Sequence, residues 1–383
     1  MKVLHKSVSN LQNYIKAENY KGFDPYDALN SPLFKIPFLN TNKIIRLGTQ
    51  QVIRRLPINI RQILGIRKSI NPVTIGLVIP AYSYVAQLDH TNTRIYEEVN
   101  FLLDVLEKTS SKGYSGICWG YDFDWEAKYA KIPAYTPTIV ATGIITNGLF
   151  ESYKLLKIDR MFEMCKSACE FINKDLNRYY EGNTFCWSYS PFDNQKVINA
   201  TLKGARLFSQ VYSIEKTYSD LLEQARQTVQ FSLNSQNSDG SWSYSKGDSR
   251  EWVDNFHTGY VLDCLREYKE NSRDQSPEIP IKIGLSYYIN SFFKDYIIPK
   301  YYNNSLYPID STAIAQSIIT LTNFNHIEIA KDVAQWSIKN MQDKNGYFYY
   351  QRRRYFTNKI SYMRWSNAWM FNALAKLLYI VEK

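Results

Sequence analysis

Apolar residues recur at helical spacing in a long series of segments along the chain. In the segment 94–108, for example, Ile95, Val99 and Leu102 fall on one face of a helix and polar residues on the other. Thr136 stands where a helix N-cap is expected, directly before a proline. The pattern predicts helices over 43–64, 71–88, 94–108, 137–156, 159–177, 194–212, 216–234, 254–268, 277–293, 310–322, 327–341 and 361–379.

A polar turn that delivers an aromatic residue recurs between these helices. Its clearest copy spans 236–260, where a turn at Asp239 and Gly240 leads to Trp242 and the chain then enters a helix at Asp254. Repetition at similar intervals indicates one structural unit used several times. The aromatic residues at the equivalent places are Trp119, Trp187, Trp242, Tyr307 and Phe348.

Six helix pairs in sequence predict a closed ring. Each pair is too amphipathic to stand alone and has to bury its apolar faces against its neighbours. We therefore predict an all-α fold, an (α/α)6 toroid over residues 41–383 with an irregular cap over 1–40. The inner helices all run the same way, so their N-termini meet at one rim and favour an anionic or hydroxyl-rich ligand there.

Charge and cysteine usage narrow the setting. The net charge is +10, and the stretch 41–71 holds seven lysines and arginines without an acidic residue, which permits peripheral membrane contact through 43–68 or binding of phosphate. No nucleic-acid-binding motif accompanies it, so nucleic acid is not expected. The five cysteines lie in apolar segments, typical of buried thiols. With no predicted signal peptide or membrane span, we expect a soluble cytoplasmic protein.

Two short patterns carry a resemblance to known families. Gln236, Gly240 and Trp242 match the Q-x-x-x-G-x-W turn of squalene-cyclase and prenyltransferase repeats, and Gln342 opens a second copy that ends in Phe348. The strings WGYDFDW, YTPTIVATG, WVDNFHTGY and YMRWSNAWM, with DPYDALNSP near the start, resemble bacterial toroid proteins associated with surface-polysaccharide biosynthesis. The resemblance implies a toroid and a role on saccharides.

Isoprenoid chemistry is the less favoured alternative. The cyclase acid motif D-x-D-D is absent, because Trp125 follows the Asp122-Phe123-Asp124 triplet. His257 and Cys264 are seven residues apart, which is about 10 Å along a helix, too far for one zinc ion. We expect no metal and no cofactor.

Three residues are candidates for acid–base chemistry. Asp122 and Asp124 stand among aromatic residues, where one carboxyl can act as an acid while the other stays ionised. Aspartates also commonly cap helices and bind turn amides. His257 lies in the first turn of a predicted inner helix and suits a general base or a contact to a sugar hydroxyl, although a core histidine is an equally good interpretation.

The substrate-binding candidates are aromatic, acidic and basic residues near the predicted rim. Flat aromatic faces suit sugar rings, and Arg364 is placed to neutralise a substrate anion. Most aromatic residues of a toroid nevertheless belong to its core. The candidates are Trp119, Tyr121, Trp125, Trp242, Asp254, Asp310, Arg364 and Trp365.

These features predict a protein that binds or modifies an anionic or lipid-linked saccharide during surface-polysaccharide biosynthesis. As an enzyme it would be a sugar hydrolase, epimerase or lyase that uses acid–base residues. The alternatives are a non-catalytic glycan-binding or assembly protein and an isoprenoid cyclase or prenyltransferase-like enzyme. The sequence predicts no oligomeric state.

Overall fold

Helices make up most of the structure, a computed structural model that describes residues 1–89, 91 and 94–383. A π-helical turn at Met363–Ala368 leads into the last helix. In the described part of the chain the α-helices are α1 Lys2–Ala17, α2 Pro37–Thr41, α3 Lys43–Arg55, α4 Pro72–Leu88, α5 Arg94–Lys108, α6 Ile139–Leu156, α7 Asp159–Asp175, α8 Ile198–Ile214, α9 Ser219–Leu233, α10 Asn255–Ser272, α11 Glu278–Ser291, α12 Ser311–Asn323, α13 Ile327–Met341 and α14 Trp369–Glu382.

Six of these helices form a closed inner ring. α4, α6, α8, α10, α12 and α14 each pack on the next, and α14 packs back on α4. Burial separates the two layers: α12 buries 12 of its 13 residues, whereas its partner α13 buries 5 of 15. The outer layer consists of α1, α5, α7, α9, α11 and α13. The predicted all-α (α/α)6 toroid is confirmed.

The N-terminal region departs from the prediction. Residues 2–17 form the regular helix α1, which buries Leu4, Leu11 and Ile15 and packs on α13 and α14 as the sixth outer helix. The predicted outer helix 43–64 is wrong, because α3 ends at Arg55, ahead of a proline that disfavours helix in the residue before it. α3 instead packs on the 3₁₀ turn Asp27–Asn30 and on the short strand Trp125–Glu126, over the ring.

Small antiparallel sheets connect the helices at the ends of the ring. In the described residues they are β1 Trp125–Glu126 with β2 Lys131–Ile132, β3 Arg178–Glu181 with β4 Thr184–Trp187, β5 Phe293–Lys294 with β6 Ile298–Pro299, and the three-stranded β7 Ile309–Asp310, β8 Tyr349–Arg352 and β9 Thr357–Ser361.

The repeated turn has the same structure in both of its complete copies. Gly240 and Gly346 adopt φ values of +92° and +100°, a region in which a side chain is strained. The amide of Gln236 donates to the Gly240 carbonyl at 3.0 Å, and that of Gln342 donates to the Gly346 carbonyl at 2.9 Å. The glutamine and glycine of the motif therefore hold the turn.

The start of α6 differs from the prediction. The N-cap of α6 is Thr138, whose hydroxyl accepts the Ala141 N–H at 3.0 Å, so the placement of the cap at Thr136 is wrong. The backbone of Thr138 is held in extended conformation by a hydrogen bond from its N–H to Trp119 O, which delays the start of the helix.

All five cysteines are buried free thiols, as predicted. In the ranges 1–89 and 94–383, none of the helices has the length and apolar character needed to cross a bilayer.

Close contact between α4 and α6 depends on two glycines. A Cβ at Gly148 would lie 2.1 Å from the carbonyl oxygen of Gly76, and a Cβ at Gly76 would lie 2.8 Å from the Cα of Ile145. Both contacts are to backbone, which cannot move aside without separating the helices.

We predict that Gly148→Ala lowers the free energy of unfolding by about 1–3 kcal/mol, as for other overpacked cores. Urea denaturation followed by circular dichroism measures the change. Gly48→Ala is the matched control, because nothing lies within 4 Å of a Cβ there; it should leave stability unchanged or raise it by up to about 1 kcal/mol. Equal effects of the two variants would contradict the assigned contact.

Candidate active site at the N-terminal rim

Aromatic side chains form a bowl where the inner helices begin. The ring of Tyr26 lies 5.5 Å from Trp365 and 6.3 Å from Trp125, and Phe256 lies 5.9 Å from Trp365. Tyr26, Tyr121 and Trp125 are half-buried, whereas Phe256 and Trp365 are buried. We call this the aromatic bowl; its members are Tyr26, Tyr121, Trp125, Tyr189, Tyr244, Trp252, Phe256, Tyr260, Tyr301 and Trp365.

His257 is held at the bowl by Asp254, the N-cap of α10. One oxygen of Asp254 accepts the His257 backbone N–H at 3.0 Å, and the other lies 2.6 Å from the ring Nδ1 and accepts the Trp252 indole N–H at 3.1 Å. The carboxylate therefore favours the tautomer with the proton on Nδ1. Nε2 is left with a lone pair and without a hydrogen-bond partner in the described structure, and 23% of the side chain is exposed.

Tyr244 and Phe256 flank the His257 ring. Their centroids lie 4.6 Å and 4.1 Å from the centroid of the imidazole, and Tyr244 is itself stacked on Trp252 at 4.8 Å. These contacts fix the orientation of the ring in addition to the bond to Asp254. The result is an imidazole of fixed orientation at the edge of an aromatic surface.

Arg364 is paired within the protein. Its Nε and Nη2 donate to the two oxygens of Asp24 at 2.6 Å and 2.8 Å, in the bidentate geometry typical of strong arginine–carboxylate pairs. The guanidinium also lies 4.9 Å from the centroid of the Tyr121 ring. Arg364 therefore positions Tyr121 and the N-terminal segment, and two of its three nitrogens are occupied before any ligand binds.

Asp310 caps α12 and supports Trp365. Its carboxylate accepts the Thr312 N–H at 2.8 Å, the Gln351 amide at 2.7 Å and the Trp365 indole N–H at 3.1 Å. Burial raises the pKa of Asp310, and these donors oppose that rise. The residue is fully buried, so direct substrate contact by Asp310 is a prediction that the structure contradicts.

Two tryptophans predicted at the substrate are also core residues. Trp119 is fully buried and its indole donates to Leu106 O at 2.8 Å. Trp242 is buried, donates to Ser232 O at 2.9 Å and packs on Gly284. Both side chains satisfy their polar atom inside the wall of the ring, so their assignment to substrate binding is wrong.

The two candidate carboxylates Asp122 and Asp124 bind the turns around them. Asp122 accepts from Ser69 and Asn71, of which Asn71 caps α4, and burial raises its pKa. Asp124 accepts the Ala134 N–H at 2.9 Å and lies 3.8 Å from Arg46. The cavity beside Asp122 has a volume of only about 10 Å³. Both contact patterns are those of residues that hold loops together.

Arg54 is a half-buried cation at the aromatic bowl. It lies 4.8 Å from the Tyr26 ring and donates to the Tyr350 hydroxyl at 3.2 Å, and no described carboxylate forms an ion pair with it. Arg54 belongs to the basic stretch 41–71, for which the sequence predicts membrane or phosphate contact and no place in the site. The sequence feature that could have identified Tyr26 is the string DPYDALNSP. The same string contains Asp24, the partner of Arg364.

A narrow cavity lies inside the ring beneath the bowl, lined by residues of the inner helices. It measures about 50 Å³, room for a few water molecules and too little for a sugar. Tyr260 lines it and also contacts His257 at 6.0 Å between centroids. The cavity is polar: Asp263 accepts from Gln316 at 2.6 Å, and Glu151 pairs with Lys376 at 3.2 Å.

Lys203 is buried at this cavity without a carboxylate partner in the described residues. Its Nζ lies 3.7 Å from the Tyr260 ring centroid, a cation–π contact. Burial lowers the pKa of Lys203 to about 7, with Cys264, Asp263 and Glu267 opposing that effect and Arg206 adding to it. The amine is thus shared between its charged and neutral forms near neutral pH.

Comparison with known proteins identifies similar solved structures. No family model and no curated protein matches the chain. The structure of cellobiose 2-epimerase from Bacillus thermoamylovorans superposes with a TM-score of 0.63 at 13% identity, over 82% of this chain and 88% of that one. A GH76 α-mannanase of Bacteroides thetaiotaomicron gives 0.59 at 13% over 83% and 89%, and an unsaturated glucuronyl hydrolase specific for heparin gives 0.58 at 12% over 83% and 89%. These likenesses show a shared toroid fold.

We predict that Asp24→Asn lowers the free energy of unfolding by about 3–5 kcal/mol, because it leaves the Arg364 guanidinium buried and uncompensated. Chemical denaturation measures the loss. Asp124→Asn is the matched control: its side chain is 35% exposed and 3.8 Å from Arg46, so we expect a loss below about 1 kcal/mol. A similar small loss for both variants would show that the Asp24–Arg364 pair does not hold the rim.

Lys203 predicts a pH dependence of stability. Its folded-state pKa, about 7, lies below its ordinary value of 10.5, so between these values the unfolded chain binds a proton that the folded protein does not, and stability rises with pH. Lys203→Met removes the contribution of this amine to the pH dependence of stability. The advantage of the variant over the natural protein should be largest and constant below pH 7, and between about pH 7 and 10.5 it should shrink by about 1.4 kcal/mol per pH unit.

Urea denaturation at a series of pH values measures this difference. Lys344→Met, at an exposed turn, is the matched control. A difference between Lys203→Met and the natural protein that does not change with pH would contradict the burial of an uncompensated amine at the cavity beneath the bowl.

Proposed function

We propose that the aromatic bowl binds a saccharide and that His257 moves a proton on it. The observation that supports this most directly is the imidazole fixed by Asp254 at 2.6 Å, with Nε2 unpaired at an aromatic surface. Similar toroids are described as a cellobiose 2-epimerase, an α-mannanase and a glucuronyl hydrolase. The sequence resemblance adds surface-polysaccharide biosynthesis in the cytoplasm, on an anionic or lipid-linked saccharide, as the proposed setting.

The carboxylates at the rim favour proton abstraction over glycoside hydrolysis. Hydrolysis by paired carboxyl groups needs two of them free to face the substrate, about 5–9 Å apart. Asp24 is bound by Arg364, Asp254 by His257 and Asp310 by its cap and Trp365. In this proposal Asp122 and Asp124 hold the loop that carries Tyr121 and Trp125.

The proposed chemistry is removal of a proton from the carbon next to a carbonyl or carboxylate group of the sugar. Nε2 of neutral His257 accepts that proton, the C–H electron pair forms a C=C bond to the carbonyl carbon, and the C=O π pair moves onto the carbonyl oxygen. Asp254 stabilises the imidazolium that forms. Return of a proton to the opposite face gives an epimer, whereas departure of the group on the next carbon gives an unsaturated sugar.

Arg54 supplies the cation for an anionic substrate. It is the rim arginine without a carboxylate partner among the described residues, and it lies against Tyr26 in the bowl. The N-termini of the inner helices add partial positive charge on the same side. A uronate or a sugar phosphate, which could pair with Arg54, fits this site better than a neutral sugar.

We predict that His257→Asn lowers turnover by at least about 100-fold and changes saccharide binding only a few fold. The assay incubates the protein in D₂O with cellobiose or with uronate-containing oligosaccharides, and nuclear magnetic resonance records deuterium entering the sugar. Calorimetry measures binding.

His5→Asn, on the outer helix α1, is the matched control and should retain full turnover. Exchange that survives His257→Asn would contradict the assignment of the base. Saccharide binding to the natural protein without exchange or any other turnover would favour the non-catalytic glycan-binding alternative.

A further inference from the structure

The cap over the ring exposes an unusual number of large aliphatic and aromatic side chains. Ile44 is 82% exposed and Ile63 is 85% exposed. On α3 the outward stripe includes Ile44, Val52 and Arg55, while Ile53 faces inward. The large apolar side chains exposed between residues 33 and 63 are Leu33, Ile36, Phe38, Ile44, Val52, Ile58 and Ile63.

The charges of the same segment are all positive. Residues 28–88 contain no aspartate or glutamate. Arg46 and Arg61 are buried in ion pairs inside the cap, so they do not contribute to its surface. The exposed cations of the cap are Lys35, Lys43, Arg55, Arg67 and Lys68, and the last of these pairs with Glu18.

The tip of the β8–β9 hairpin adds a second element of the same character. Tyr355 is 86% exposed, Phe356 is also exposed, and Arg353 and Arg354 stand beside them. The hairpin lies against the end of α3, because the Asn358 amide donates to Leu56 O at 2.9 Å. We call residues 33–63 together with 353–356 the docking lip.

We propose that the docking lip binds the surface of an anionic lipid bilayer. Exposed aliphatic and aromatic side chains that alternate with lysine and arginine are the composition of interfacial membrane segments, in which apolar groups enter the headgroup boundary and cations face anionic lipids. A second copy of this chain would bring like charges together, and nucleic acid would leave the aliphatic side chains in water. A bilayer satisfies both sets of groups.

The lip borders the mouth of the aromatic bowl. Arg54 lies on the flank of α3 between the exposed stripe and the buried face, and it contacts Tyr26 of the bowl and Tyr350 of strand β8. A bilayer bound at the lip would therefore lie beside the bowl, where a saccharide attached to a lipid can reach it. The docking inference rests on the lip alone and does not depend on the proposed reaction.

Co-sedimentation with vesicles tests the inference. We expect the natural protein to sediment with vesicles that contain phosphatidylglycerol, to bind phosphatidylcholine vesicles much more weakly, and to lose most of the difference at high salt. Lys35→Gln with Arg55→Gln should weaken binding about fivefold for each cation removed. Ile44→Ser with Val52→Ser should weaken it tenfold or more.

The matched control is Ile279→Ser with Lys282→Gln, an exposed pair on the outer helix α11, which should not change binding. Circular dichroism confirms that each variant folds, and binding of soluble saccharide should be the same in all of them, so that a failure of docking is distinct from a failure of the bowl. No binding to anionic vesicles, or equal binding by lip and control variants, would overturn the inference. Self-association that the Ile44→Ser and Val52→Ser changes abolish would overturn it in favour of a dimer.

Discussion

The bidentate ion pair between Asp24 and Arg364 joins the two ends of the chain at the rim. Both side chains are almost fully buried, so each depends on the other for compensation of its charge. Tyr26 follows Asp24 by two residues, and its backbone N–H donates to the same carboxylate at 3.0 Å. Trp365 follows Arg364 and contacts Tyr26 at 5.5 Å. The bowl can therefore form only when the ring has closed and the cap has docked.

The carboxylate of Asp254 both caps α10 and orients the ring of His257. As N-cap it accepts the backbone N–H of His257, and through its second oxygen it fixes the imidazole of the same residue. The spacing of three residues between cap and histidine makes both bonds possible in the first turn of a helix. The orientation of a candidate base thus follows from the way α10 begins, and it is as rigid as the inner ring itself.

Local patterns explain which features were predictable from the sequence. Periodicity gave most helices of the ring, and Asp254 and Asp310 were recognisable as caps because their side chains act within three residues. The burial of Trp119 and Trp242 was not predictable, since an aromatic residue after a turn can face the wall or the pocket and only its partners in the fold decide. Tyr26 and Arg54 were missed because their contacts join distant parts of the chain. The prediction of an irregular cap over 1–40 missed α1, although Leu4, Val8, Leu11 and Ile15 have the spacing of an amphipathic helix. The place of α1 in the outer layer depends on contact with α14.

The distribution of charge connects the bowl with the docking lip. At the rim Asp24 is neutralised by Arg364, whereas Asp254 and Asp310 accept hydrogen bonds from imidazole, indole and amide groups. Arg54, at the mouth of the bowl, has no ion-pair partner among the described residues. The cap above it is free of acidic residues for 61 positions, 28–88, and the exposed cations face outward. An anionic ligand and an anionic surface would be attracted to the same side of the toroid. On the other side of Tyr260 the cavity beneath the bowl pairs its carboxylates with amides and lysine and has room only for water. The aromatic bowl and the docking lip therefore share the other end of the ring, where we propose that a saccharide and a membrane surface bind.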